Sequence, residues 1–225
     1  MKKKILIGLG ITAVVIILGL FLVLKNLSSI VKVVIEKVGT SVVGTEVSLK
    51  SADISLKEGR ATLKGLDIAN PDGFSRSSMI YVGEMTAQLE AKTGVIKEIY
   101  IGSPQIRFEQ KGKESNFSVV QRNLESEPSE PEPKEEAEAK ELQIDFFKLE
   151  KAEVTVTSDQ FEGEKKLLLE EITFKNLKGT PSAIGREVMG QLVGKIIVQV
   201  TKDVLGSAVK GALKEKAGGL FPKRE

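Results

Sequence analysis

The chain has 225 residues, 41% hydrophobic and 28% charged, with a formal net charge of +2 and neither cysteine nor histidine. Lacking both, it can build no serine–histidine triad, thiolate nucleophile, disulfide or histidine- or cysteine-ligated metal centre. Lys2, Lys3, Lys4 and Lys25 supply more positive charge than the net value, so the remainder is acidic, not a basic nucleic-acid footprint, and the lack of tryptophan argues against stacking platforms.

Residues 5–24 read ILIGLGITAVVIILGLFLVL, a run about 30 Å long as a helix, which matches a bilayer's hydrocarbon thickness. The pattern predicts a transmembrane helix over 5–25. Lysines before the run put a tail, 1–4, in the cytoplasm and the bulk outside, at an inner membrane crossed once. A cleaved signal peptide is the rival, but the run is long and ends without a small-residue cleavage site. Residues 26–43 continue as an amphipathic stalk helix, with Leu27, Ile30, Val31, Val34 and Val38 on one stripe.

From Gly44 the period becomes two, and 44–123 reads as a β-rich region. Val47 and Leu49 precede Ala52, Ile54 and Leu56, and Ala61 and Leu63 precede Leu66 and Ile68 in the opposite phase. Ile80 and Val82 shift phase in the same way to Met85, Ala87 and Leu89. Bulges at Lys64–Gly65 and Gly83–Glu84 would return each set to one face and curl the sheet. Further strands are expected at 96–101 and 105–110, with apolar pairs Ile99/Ile101 and Ile106/Phe108.

Residues 124–142 form an acidic, proline-containing stretch with too little apolar surface to offset its ordering entropy, so a disordered linker is expected. Strands resume over 143–179 and complete the sheet. Two echoes link the halves: Leu49 to Leu56 parallels Leu149 to Val156, and Leu63 to Asn70 parallels Leu169 to Asn176. Thr180 and Pro181 then open an amphipathic helix over 180–217, which either covers the apolar sheet face or meets a membrane or partner, and 218–225 is a tail.

The run from Gly59 to Phe74, followed by Ile80 to Leu89 and Ile99 to Phe108, resembles the N-terminal region of the AsmA-like family of envelope proteins over about residues 1–120. The resemblance implies an inner-membrane protein with a periplasmic β-groove and a role in lipid transport or outer-membrane homeostasis. The residues also have a plain structural reading. Asn70, Pro71 and Gly73 suit a turn, with Phe74 docking as its lid.

The sequence thus predicts an α+β protein with a transmembrane helix, a curled, mostly antiparallel groove-like sheet and a long C-terminal helix. The expected apolar groove comprises Val47, Leu49, Ile54, Leu56, Leu63, Ile99, Ile101, Ile106 and Phe108. No catalytic residue, cofactor or metal is assigned. Expected partners are membrane lipid, with acyl chains as ligand, or an envelope protein, and no nucleic acid. The alternatives are a structural or protein-interaction module without ligand and, third, an enzyme using carboxylates such as Asp67 or Asp72. A closed, desiccation-type β-sandwich is the alternative fold.

Overall fold

The computed structural model describes residues 26–90, 92–126 and 141–206. After a helix over 26–43 (α1) come β1 (Val47–Ser55), β2 (Arg60–Ala69), β3 (Ser78–Glu90), β4 (Val95–Ile101), β5 (Gln105–Lys111) and the short β6 (Glu114–Ser115). Helix α2 (Asn116–Glu125), β7 (Leu142–Leu149), β8 (Ala152–Ser158), β9 (Lys165–Leu169), β10 (Ile172–Gly179) and α3 (Pro181–Val200) follow. A π-helical turn, Thr201–Leu205, extends α3.

The ten strand segments form one curled sheet, and its register reduces all but the short β6 to six long strands. β4 and β5 pair with β3 in the same register on both sides of the β4–β5 break, Met85 opposite Ile101 and Ile80 opposite Ile106. β7 and β8 continue that register in parallel, with Ile101 opposite Leu149 and Gln105 opposite Glu153. β9 and β10 close it, with Ala152 opposite Leu169 and Leu149 opposite Ile172. The segments therefore break where one crease crosses neighbouring strands.

At that crease every strand carries apolar residues three apart: Leu49/Ala52, Leu63/Leu66, Val82/Met85, Ile101/Pro104, Leu149/Ala152 and Leu169/Ile172. Three is an odd step, so a regular strand would put the two on opposite faces. Hydrogen-bond directions show how the crease avoids this. On one side, the main-chain N–H groups of Val47 and Leu49 point away from β2, toward α1. On the other, Leu89 N–H donates to the Gly59 carbonyl at 2.7 Å, which turns Arg60 toward β1 and leaves Ala52 and Ile54 facing outward. The inward-facing residues change parity at the crease, and chirality moves the side chains with them. Gly65 (φ 64°) and Ser103 (φ 43°) adopt left-handed backbone there. Apolar rows from both sides therefore join one buried cluster.

Helices α1, α2 and α3 contribute to the same cluster. Val42 and Val43 come from α1, Phe117 and Val120 from α2, and Ile184, Val188, Leu192, Val193, Ile196 and Val200 from α3. Burying each such side chain is worth about 1.5–3 kcal/mol. Phe117 stacks on Phe108 at 5.7 Å between ring centroids. The start of α2 is fixed by a reciprocal cap: Ser115 Oγ accepts from Ser118 N–H at 3.0 Å, while Ser115 N–H donates to Ser118 Oγ at 2.8 Å.

Several expectations are corrected. The sheet is mixed: β4–β7 and β5–β8 are parallel, which was not expected, while the other pairings among the described residues are antiparallel. No register shift occurs at Gly65 or Gly83; shifts fall at Ile68/Ala69 and Gln88/Leu89 instead. Within 143–179 the crease divides the last strand into β9 and β10. The start of the acidic linker is helical to Glu125, its last residue, Leu142, already belongs to β7, and 127–140 lies outside the described residues. The 180–217 helix is described as far as Gly206.

The expected transmembrane helix over 5–25 also lies outside the described residues. Among those described, no helix is long and apolar enough to cross a membrane. α1 carries Lys32, Glu36 and Lys37, and α3 carries Arg186, Glu187 and Lys195. The single-pass inner-membrane placement, with a cytoplasmic tail and a periplasmic body, is accordingly not sustained.

Candidate functional site

The nine residues expected to line a groove separate into two groups. Val47, Leu49, Ile101, Ile106 and Phe108 are buried in the closed core. Ile54, Leu63 and Ile99 are half-buried and Leu56 is exposed, all on the far side of the crease. Two apolar rows cross that side in register. One runs Ala52, Leu63, Met85, Ile101, Leu149 and Ile172, and the other Ile54, Ala61, Ala87, Ile99, Phe147 and Phe174. Exposure in the first row falls from half-buried Ala52 to Ile172 at 3%, on β10, where α3 packs. The uncovered remnant of the expected groove is thus the β1 end of the rows.

β1 is an edge strand, and α1 protects half of it. Glu36 Oε1 accepts from Leu49 N–H at 2.8 Å, Thr40 Oγ accepts from Val47 N–H at 3.0 Å, and Lys32 Nζ donates to the Leu49 carbonyl. Side chains thereby take the place of a neighbouring strand. Beyond the crease, the outward N–H and C=O groups of Ala52 and Ile54 have no hydrogen-bond partner among the described residues.

The Asn70–Phe74 turn is a structural device. Glu109, a β5 carboxylate only 7% exposed, accepts from Asn70 Nδ2 at 2.8 Å, from Ser75 N–H at 3.0 Å and from Ser75 Oγ. Asn116 completes the lock, donating from Nδ2 to Asn70 Oδ1 at 2.7 Å and accepting from Glu109 N–H at 3.0 Å. Burial pushes the Glu109 carboxyl up, but the bonds from Ser75 and Asn70, with Lys111 nearby, outweigh it and hold the carboxyl below its ordinary value. Pro71 is buried, and Lys111 lies over the Phe74 ring, 5.5 Å from its centroid. The hollow of about 360 Å³ at this place is lined by residues 69–76 alone, the inside of the turn itself.

A second, open hollow of about 640 Å³ lies between α3 and the β9–β10 corner, with Leu169, Ile172, Gly194 and Val198 among Glu170, Glu171, Lys195 and Lys202. Glu170 and Glu171 are paired with Lys151 and Lys148, each at 2.9 Å. Among the described residues, no three acidic side chains come together as metal ligands. Asp67 accepts from Ser78 Oγ at 2.5 Å, which ties β2 to β3, and Asp72 sits in the turn.

The Glu109 lock and α2 were missed by the sequence reading. α2 had a local signal, Ser115 ahead of Phe117, Val120 and Leu124, apolar residues at helical spacing. Glu109 had none, because the hydrogen-bond donors to its carboxylate lie more than thirty residues away in the chain. No family model, curated protein or solved structure matches the chain, and so nothing in these comparisons identifies an AsmA-like protein.

Proposed function

We propose that this chain is a non-catalytic protein-interaction module acting through its outer surfaces, not through an interior ligand. The observation that carries this reading is the filling of the apolar sheet face by α3. Ile184, Val188, Leu192, Val193, Ile196 and Val200 occupy the place that an acyl chain would need. The composition also supports it, since neither histidine nor cysteine is available for catalysis. The buried carboxylate, Glu109, is committed to holding a turn. Carriage of acyl chains is the second reading, favoured by the half-open row end at Ile54, Leu63 and Ile99.

Photocrosslinking of the full chain in its own cells, with probes at Leu56, Leu168 and Val198, tests the proposal. All three are exposed apolar positions. One protein partner recovered at fixed stoichiometry is the expected result. Crosslinks to lipid alone would contradict it.

A further inference from the structure

We infer that the uncovered half of β1 is a strand-addition site for an extended partner segment with a basic residue between two apolar ones. The inference rests on the interaction-module reading and names its surface. Three observations converge on this half-strand. First, the outward main-chain groups of Ala52 and Ile54 are unpartnered among the described residues, while the Val47 N–H and both the N–H and C=O of Leu49 are satisfied by α1. The protection stops at the crease, so the open part is a short template with its donors and acceptors already spaced for a strand.

Second, the side chains of Ala52 and Ile54 end the two apolar rows, half-buried, with exposed Leu56 beside them. An added strand would place its residues opposite Ala52 and Ile54 on the same face and continue both rows by one position. Apolar side chains there would cover what β1 leaves open.

Third, Asp53 lies between them on the opposite face. It is exposed and has no ion-pair partner among the described residues. A residue added opposite Asp53 meets a carboxylate directly, so a lysine or arginine is favoured and an acid disfavoured. The same carboxylate argues against a second copy of this chain. The two-fold antiparallel pairing that matches Ala52 with Ile54 of the copy sets Asp53 against Asp53.

The probe is a fluorescein-labelled heptapeptide with lysine between two valines, and a twin with glutamate in place of lysine, titrated into the full chain by anisotropy. The lysine peptide is expected to bind saturably and about tenfold more tightly than its twin. Asp53→Lys should reverse that preference, and methylating the peptide's main-chain nitrogens should abolish binding. Ala52→Pro removes an outward donor without breaking the ladder to β2, so it should abolish binding while thermal unfolding confirms a folded chain.

Absence of saturable binding, a preference unmoved by Asp53→Lys, or a chain that dimerises through β1 would each overturn the inference. If it fails while the full chain still crosslinks to one protein through Leu168 or Val198, the interaction reading stands and only this surface is wrong. Recovery of lipid alone would remove both.

Discussion

Glu36 and Leu49 meet across the open edge of the sheet, the helix carboxylate accepting the strand's main-chain N–H at 2.8 Å. The pair closes an edge that another chain could otherwise extend. Glu36→Ala is expected to lower stability by about 1 kcal/mol, and Glu36→Gln by less, because the amide oxygen can still accept. Urea unfolding followed by circular dichroism measures both.

Glu109 makes a larger contribution because it is buried and serves several donors. Glu109→Ala should cost about 2–3 kcal/mol by stranding Asn70 and the Ser75 N–H, and Glu109→Gln somewhat less.

Acid should weaken the same lock. The carboxyl is held below its ordinary value of 4.5, so its stabilisation is complete above that value and is lost as pH falls through the lower folded one. The difference in urea midpoint between the unmutated chain and Glu109→Gln should therefore shrink below about pH 4.5 and not above it. A difference that is constant from pH 3 to 7 would contradict the assignment.

Gly65→Ala tests the crease. The backbone there is left-handed, and an added Cβ would lie 2.8 Å from the Lys50 Cβ. A cost of about 2 kcal/mol is expected from these two effects together. Asn176, also at positive φ (56°), should accept glycine without loss but lose about 1 kcal/mol to valine.

Ile196→Ala examines the packing of α3. This side chain is fully buried, and its truncation should cost about 2–5 kcal/mol, whereas Val198→Ala, at 66% exposure, should change stability by less than about 0.5 kcal/mol.

The alternating patterns of β4 and β5 could be read within a residue of their ends, because each strand has one buried face. The phase slips were visible too, but as separate faults. Leu63 to Leu66 and Val82 to Met85 suggested bulges, whereas Ile101 to Pro104 looked like a turn between unrelated strands. Register across the sheet shows one cause for all of them. It also explains the echo between the halves: Leu49 with Ala52 and Leu149 with Ala152 both cross the crease, as do Leu63 with Leu66 and Leu169 with Ile172.

The candidate groove was legible as an apolar face but not as a covered one. Val47 and Ile106 look no different in sequence from Ile54 and Ile99. What separates them is the route of the helices, α1 against Val47 and α2 and α3 within the same cluster, which is set by tertiary packing. The turn at Asn70, Pro71, Gly73 and Phe74 was legible from its residue types, yet the carboxylate that anchors it was invisible without the fold.

Native mass spectrometry of the full chain, gently extracted from its own cells and scanned for bound lipid, tests the filled sheet face most directly. The account predicts a single mass for the polypeptide without acyl-chain adducts, in Ile196→Ala as in the unmutated chain. A stoichiometric lipid adduct that disappears on blocking the open row end with Leu63→Trp would contradict it.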